Sequence, residues 1–268
     1  MNQTRSAARK GQDAALRAAS AVWRAPLGRF ARREFAVLVA LVLAASAVWG
    51  FAELADEVLE GETHAFDETI LLALRSATDH ADPLGPGWLE EAMRDITALG
   101  SIGVLTFITL AVAGFLVLLR KAHAALFVVL AVGGGMLLST LLKMGFDRPR
   151  PDLVPHGALV YTASFPSGHS TMAAVAYLTL GALLARVQPR RRLKLYLMGL
   201  AVLLTVAVGV SRVYLGVHWP TDVLAGWALG AAWALLCWAG ALWLQRRGRV
   251  ESEGPDPDAS PPEAQAGD

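Results

Sequence analysis

The stretch AHAALFVVLAVGGGMLLSTLL, residues 122–142, is an apolar run that contains no Asp, Glu, Lys or Arg. Its length matches the roughly 20 residues that an α-helix needs to cross the hydrocarbon core of a bilayer. Five more apolar runs of about this length occur in a chain that is 54% hydrophobic and only 18% charged. We therefore predict an all-α fold, a polytopic membrane helical bundle with six transmembrane helices. The predicted spans are roughly 35–53, 101–119, 122–142, 170–187, 195–213 and 221–244.

Lys and Arg residues are distributed unevenly between the two sides that these six spans define. Of the 24, 18 fall in the N-terminal segment or close to the connections that follow the second, fourth and sixth spans. Because positive charge is retained on the cytoplasmic side of a membrane, we predict that both termini are cytoplasmic. The predicted location is the cytoplasmic membrane, with external loops at 54–100, 143–169 and 214–220.

The chain divides into three predicted parts. Residues 1–33 form a basic cytoplasmic segment suited to the anionic inner leaflet. Residues 34–247 form the six-span domain, and residues 248–268 are rich in Pro, Glu and Asp, which predicts a disordered tail. Within the first external loop, apolar residues recur at helical spacing from Trp88 to Leu99. This periodicity predicts an external amphipathic helix at the membrane interface.

Three short polar stretches lie at the outer ends of the third to sixth spans. They are KMGFDRPRP at 143–151, PSGH at 166–169 and SRVYLGVHWPTD at 211–222. The topology places all three on the external side, where the positive-inside tendency disfavours Lys and Arg. Each charge taken alone is explained by a surface loop or by a long side chain that reaches the interface. Their concentration beside two histidines indicates a functional site.

Part of this set suits an anion. A Ser-Gly pair directly before a helix presents backbone N–H groups and the positive end of the helix dipole. Ser167 and Gly168 occupy that position, and glycine lets the backbone approach a ligand closely. Lys143, Arg150 and Arg212 add charged donors, and Arg grips phosphate oxygens in a bidentate manner. The predicted ligand is a phosphate group.

The histidines suggest chemistry on that phosphate. His218 and Asp222 are four residues apart, and an Asp that accepts one imidazole N–H leaves the other nitrogen free as a nucleophile or base. His169 stands at the start of the fourth span, where it could protonate a departing alkoxide. If one histidine starts neutral and the other protonated, the pH profile is bell-shaped. We found no cluster with metal-ligand spacing, so we expect neither a metal nor another cofactor.

The order and spacing of these residues resemble the three-part signature of the type-2 phosphatidic acid phosphatase superfamily, in its bacterial membrane lipid phosphatase branch. The resemblance covers about 66–240, with a catalytic core at 143–222, and every position of the signature is matched. The matched positions are Lys143, six residues and Arg150-Pro151; Pro166-Ser167-Gly168-His169; and Ser211-Arg212, five residues, His218, three residues and Asp222.

The resemblance implies a metal-independent phosphatase that forms a phosphohistidine intermediate. His218 would attack phosphorus, Asp222 would orient it, and His169 would protonate the leaving oxygen and then help to activate water. The residues that would hold the phosphoryl oxygens are Lys143, Arg150, Ser167, Gly168 and Arg212. Supporting roles fall to Pro166 and Ser211 within the signature and to Arg148 outside it.

The resemblance does not fix the substrate. A site that faces the periplasm or exterior would meet outer-leaflet lipids, and the candidate substrates are then undecaprenyl pyrophosphate, phosphatidic acid and phosphatidylglycerol phosphate. We expect no nucleic-acid partner. A lipid phosphotransferase would use the same core with an acceptor other than water. A carrier would bind the head group without hydrolysis, although His169, His218 and Asp222 together exceed what binding requires. Related soluble enzymes bind vanadate and oxidise halides, and the six spans argue against that activity.

Overall fold

The computed structural model describes residues 34–152 and 163–246 of the chain. Within these ranges the secondary structure is eight helices, together with one isolated β-bridge between Arg75 and Pro83. The predicted all-α class is therefore confirmed. The predicted basic segment 1–33 and tail 248–268 lie outside the described residues. The helices are α1 (Glu34–Glu60), α2 (His64–Ala73), α3 (Gly87–Ala98), α4 (Ile102–Leu118), α5 (Ala122–Lys143), α6 (Gly168–Val187), α7 (Arg191–Tyr214) and α8 (Pro220–Arg246).

Helices in the described part of the chain account for all six predicted spans. Five of them, α1, α5, α6, α7 and α8, are each long and apolar enough to cross a membrane. The sixth, α4, coincides with the predicted span 101–119 but has only 17 residues. It meets the same criterion when joined to α3, from which a bend of 49° separates it. The protein is a multi-pass membrane protein.

The first helix is longer than the predicted span 35–53. It continues through Glu60, because the segment after residue 53 holds good helix formers and no Gly or Pro. The helix ends where Gly61 adopts a φ of 80°, a left-handed conformation that glycine reaches without steric cost. The chain falls into two compact units, and α1 contributes to both, because the first unit ends at Val42 and the second starts at Leu43. All the predicted site residues belong to the second unit.

The amphipathic pattern from Trp88 to Leu99 forms α3, as predicted. On its exposed face Arg94 and Glu90 form an ion pair of 2.5 Å. The helix packs on α7 and is followed by Ser101, whose hydroxyl accepts a hydrogen bond from the N–H of Val104 at 3.3 Å and caps α4. The helix therefore covers the end of α7 that carries Arg212.

Helix α6 is the centre of the bundle and packs against α4, α5, α7 and α8. Two glycines of α8 allow a close approach to it. A Cβ atom on Gly226 would lie 2.8 Å from the carbonyl oxygen of Ser167, and one on Gly230 would lie 2.6 Å from that of Thr171. Small residues of this kind let helix backbones meet in membranes. This contact brings the first turn of α8, which holds Asp222, against the start of α6.

Candidate active site

The three polar stretches predicted from the sequence meet at one end of the bundle, around a cavity of about 450 Å³. All three stretches contribute residues to its wall, from the end of α5, the loop before residue 152, the start of α6 and the end of α7. The loop before α8 adds one more. The lining includes the predicted site residues Lys143, Arg150, Gly168, His169, Arg212 and His218, the hydroxyl residues Ser139 and Thr140, and the apolar residues Ile102, Met136, Met144 and Met172. A charged end and an apolar side suit an amphiphilic ligand.

Three cations converge on the cavity. Lys143 ends α5, and its Nζ donates to the carbonyl of Ala163 at 3.1 Å. Arg150 donates to the carbonyl of Val217 at 2.8 Å, and burial lowers the pKa of its guanidinium, an effect that the charge of Asp222 opposes. Both residues line the cavity, so two positive charges border the space that an anion would occupy.

The third cation, Arg212, lies in the last turn of α7 and donates to Thr97 Oγ1 at 3.1 Å. Its Nε is buried and finds no hydrogen-bond partner among the described residues. A buried donor of this kind costs free energy unless an acceptor reaches it. Since Arg212 lines the cavity, an oxygen of a bound anion is a suitable acceptor.

The start of α6 supplies backbone donors. The first hydrogen bond of the helix runs from the N–H of Thr171 to the carbonyl of Ser167 at 3.0 Å, so the N–H groups before it are the terminal donors of α6. A Cβ atom on Gly168 would lie 3.4 Å from Lys143 Cε, which shows how closely this turn approaches the lysine. The helix start and the lysine thus face the same space.

Ser167 occupies a different place from the other predicted phosphate ligands. It is fully buried behind the cavity wall, its N–H donates to the carbonyl of Asp222 at 2.9 Å, and its hydroxyl accepts from Ser170 at 3.0 Å. Its observed contacts join α6 to α8. Pro166 is buried beside it, and Ser211 donates to the carbonyl of Val208 at 2.6 Å within α7. Neither Pro166 nor Ser211 lines the cavity.

The pair predicted four residues apart is in contact. His218 is 1% exposed, and its Nδ1 lies 3.3 Å from Oδ2 of Asp222. Its Nε2 lies 3.1 Å from Nη1 of Arg150. Because a guanidinium can only donate, Nε2 is the acceptor and Nδ1 carries the proton that faces Asp222. The same Oδ2 also accepts from the N–H of Trp219 at 2.9 Å and from the hydroxyl of Ser164.

Burial decides the charge of His218. It lowers the pKa of the imidazole to about 3, with further lowering by Arg212 and Arg150, although the hydrogen bond and charge of Asp222 oppose the shift. The imidazole is therefore neutral at ordinary pH. The sequence analysis predicted a bell-shaped pH profile. The acid limb of that profile, where His218 gains a proton, therefore lies far below the usual histidine range.

We predict that His218 does not titrate between pH 5 and 8, because its pKa in the folded protein is lowered to about 3 from an ordinary value of 6.5. The unfolded chain binds this proton below pH 6.5 and the folded chain does not, so His218 destabilises the fold progressively as the pH falls from 6.5 towards 3. The measurement is an NMR titration of ¹⁵N-labelled histidine, with the His218→Asn variant for assignment. A His218 signal that titrates near 6.5 would contradict the prediction.

The structure also brings in residues that the sequence analysis missed or underrated. Arg148 had been given only a supporting role, yet its guanidinium contacts Asp222 and also Asp67 of α2. Ser164 and Asp67 had not been identified at all. One feature of the sequence could have identified Asp67. It is a carboxylate on the same face of α2 as Leu71, which follows one turn later, and both residues are buried.

Comparisons with known proteins identify the family of this chain. Residues 124–246 match the model of the PAP2 superfamily. Phosphatidylglycerophosphatase B of Bacillus subtilis is 38% identical over 148 residues, which cover 53% of this chain and 70% of that protein. Decaprenylphosphoryl-5-phosphoribose phosphatase of Mycobacterium tuberculosis is 30% identical over 152 residues, 54% of this chain and 76% of the relative. The crystal structure of a transmembrane PAP2 type phosphatidylglycerolphosphate phosphatase from Bacillus subtilis aligns with a TM-score of 0.69 at 32% identity, covering 76% of this chain and 98% of that one.

Proposed function

This chain belongs to the PAP2 superfamily of membrane lipid phosphatases, and from that premise we propose that it hydrolyses a lipid phosphate through a phosphohistidine formed on His218. The observation that carries the proposal is the tautomer of the His218 imidazole and the position of its two nitrogens. Its Nδ1 proton faces Asp222, and its Nε2 lone pair lies at the cavity among cations. A neutral imidazole held in this tautomer is the form that can attack phosphorus.

The proposed reaction has two steps. In the first, Nε2 of His218 bonds to phosphorus, the bond from phosphorus to the lipid oxygen breaks, and His169 gives its proton to that oxygen. In the second, water attacks the phosphohistidine, His169 takes a proton from the water, and the P–N bond breaks to release inorganic phosphate. Asp222 supports the positive charge that develops on the phosphorylated imidazole.

Positive charge around the phosphoryl group would supply most of the rate enhancement. Phosphoryl transfer spreads negative charge over the three equatorial oxygens, and fixed donors that already point at them need no reorganisation. The proposed donors are Lys143, Arg150, Arg212 and the N–H groups at the start of α6. Ser167 would contribute by fixing this helix start against α8, since its N–H already donates to Asp222.

Arg150 would also control access to the nucleophile. In the structure its Nη1 donates to Nε2 of His218 at 3.1 Å, so the attacking lone pair is engaged. A phosphate oxygen is a stronger acceptor for a guanidinium than a neutral imidazole, because the hydrogen bond is then charge-assisted on both sides. Binding of the phosphate would therefore draw Arg150 towards the ligand and free Nε2 for attack.

The apolar side of the cavity supports a lipid substrate, whose tail can remain near Ile102, Met136 and Met144 while the head group reaches the cations. Phosphatidylglycerol phosphate is the first substrate to test, because the similar sequence and the similar solved structure from Bacillus subtilis are both named for it. Undecaprenyl pyrophosphate and phosphatidic acid follow. The Lys and Arg asymmetry supports cytoplasmic termini and a site that faces the periplasm or exterior.

The deciding experiment measures inorganic phosphate released by the purified protein in detergent from each of these three lipids. Release from at least one of them is expected. A second arm supplies a lipid alcohol as acceptor and follows labelled phosphate. Transfer to the lipid without release would favour a phosphotransferase. Binding of the lipid without either reaction would favour a carrier.

We predict that the activity persists in excess EDTA. Across residues 34–152 and 163–246, no group of three or more His, Cys, Asp or Glu side chains is placed to hold a metal ion. The three cations would take the place that Mg²⁺ has in other phosphoryl-transfer enzymes. Phosphate release is measured with EDTA and with EDTA plus excess Mg²⁺. Loss of activity that Mg²⁺ restores would overturn metal independence.

A further inference from the structure

A buried polar chain extends away from the cavity behind His218. Oδ1 of Asp222, the oxygen that does not face the histidine, accepts from Nη1 of Arg148 at 2.7 Å. The other nitrogen of the same guanidinium, Nη2, donates to Oδ2 of Asp67 at 2.6 Å. The side chain of Arg148 is 12% exposed, and both carboxylates are fully buried. One cation thus bridges two buried carboxylates.

Asp67 is also bonded directly to the start of α8. Its Oδ1 accepts the N–H of Thr221 at 2.9 Å, and its Oδ2 accepts the hydroxyl of Thr221 at 2.6 Å. The same hydroxyl accepts from Nη1 of Arg148 at 2.8 Å. Since Thr221 directly precedes Asp222, one carboxylate on α2 fixes both the backbone of this turn and the guanidinium that holds Asp222.

The charges indicate why the second carboxylate matters. Arg148 alone would pull electron density from Asp222 and weaken its support for the imidazole. Asp67 balances the charge of Arg148, so Asp222 keeps its negative charge for Nδ1 of His218. Buried ions of this kind are costly to leave unpaired, and a complete set of hydrogen bonds holds them in one geometry.

We infer that Asp67 is a positioning residue for the proposed phosphoryl transfer, acting through Arg148 and Thr221 on Asp222. The inference rests on the proposed function. Asp67, Arg148 and Asp222 do not line the cavity, so Asp67 touches neither substrate nor reacting atoms. Its effect should therefore fall on the rate of the chemical step and not on binding of the phosphate.

The test is Asp67→Asn, which keeps the size of the side chain and removes its charge. We expect kcat on the best lipid substrate to fall roughly 10- to 100-fold, a loss typical of residues that orient an active-site ligand from behind. KM should remain unchanged, and so should the inhibition constant of inorganic phosphate, because the cations of the cavity are untouched. Asp95→Asn, on the exposed face of α3, is the matched control and should behave as the unsubstituted protein does.

The outcomes separate cleanly. A kcat for Asp67→Asn equal to that of the control would overturn the inference, and so would parallel losses in kcat and in phosphate inhibition, which indicate a general packing fault. If Asp67→Asn does not fold, Thr221→Val decides, because it removes the hydroxyl that donates to Asp67 and accepts from Arg148. It should lower kcat several-fold at constant KM, and an unchanged kcat would overturn the inference. An unsubstituted protein that releases no phosphate from any lipid would instead refute the proposed function.

Discussion

Replacing His218 by alanine is expected to lower lipid phosphate hydrolysis roughly 10⁴- to 10⁶-fold, the range seen when the nucleophile of a covalent mechanism is removed. The cations that line the cavity remain in this variant, and water alone would have to attack phosphorus. His218 is 1% exposed, so the substitution leaves a small internal cavity. Asp222 keeps hydrogen bonds from Arg148, Ser164 and the N–H of Trp219, and the fold should survive.

The measurement combines turnover with trapping of the intermediate. Protein quenched during hydrolysis of a ³²P-labelled lipid phosphate should carry label that is stable in alkali and labile in acid, as a phosphohistidine is. His218→Ala should carry none, whereas His80→Ala, which alters an exposed loop histidine, should match the unsubstituted protein. A His218→Ala variant that still binds inorganic phosphate would locate its defect in chemistry. Label retained on that variant would assign the nucleophile to another residue.

Local signals in the sequence were sufficient for the spans and for the residues around the cavity. Hydropathy reports on each helix separately, so the six apolar runs matched helices although α1 extends to Glu60 and α4 is only 17 residues long. The topology then required that the ends of α5 and α7 and the starts of α6 and α8 share one side of the membrane. That constraint grouped Lys143, His169 and His218 without any knowledge of distances.

Features set by packing were not predictable in the same way. Asp67 lies 154 positions before Thr221, and nothing in the local sequence indicates that α2 contacts α8. Ser167 illustrates a second limit, since a helix N-cap beside glycine is expected to face a ligand, but the close approach of α8 turns its N–H to Asp222. Periodicity identifies which residues are buried. Which polar groups meet inside the bundle depends on how the helices cross.

Replacing His169 by alanine is expected to slow hydrolysis of a lipid phosphate about 10²- to 10⁴-fold, the usual contribution of a positioned acid or base. His169 lines the cavity in the first turn of α6. In the proposed mechanism it protonates the leaving oxygen, whereas His218 attacks phosphorus. A lipid alkoxide is a strong base and leaves poorly without a proton. p-Nitrophenolate is a weak base and leaves without one, so the choice of leaving group tests the role of His169 directly.

With p-nitrophenyl phosphate as substrate, His169→Ala should slow the first step far less than it slows the first step with the lipid. The second step still lacks the base that activates water, and the phosphohistidine on His218 should accumulate. Stopped-flow absorbance should then record a burst of one p-nitrophenolate per enzyme, followed by slow turnover. His169→Gln should behave in the same way, because it keeps a hydrogen-bonding side chain of similar size that cannot transfer a proton. Equal losses on both substrates without a burst would mean that His169 binds the phosphate and does not move the proton.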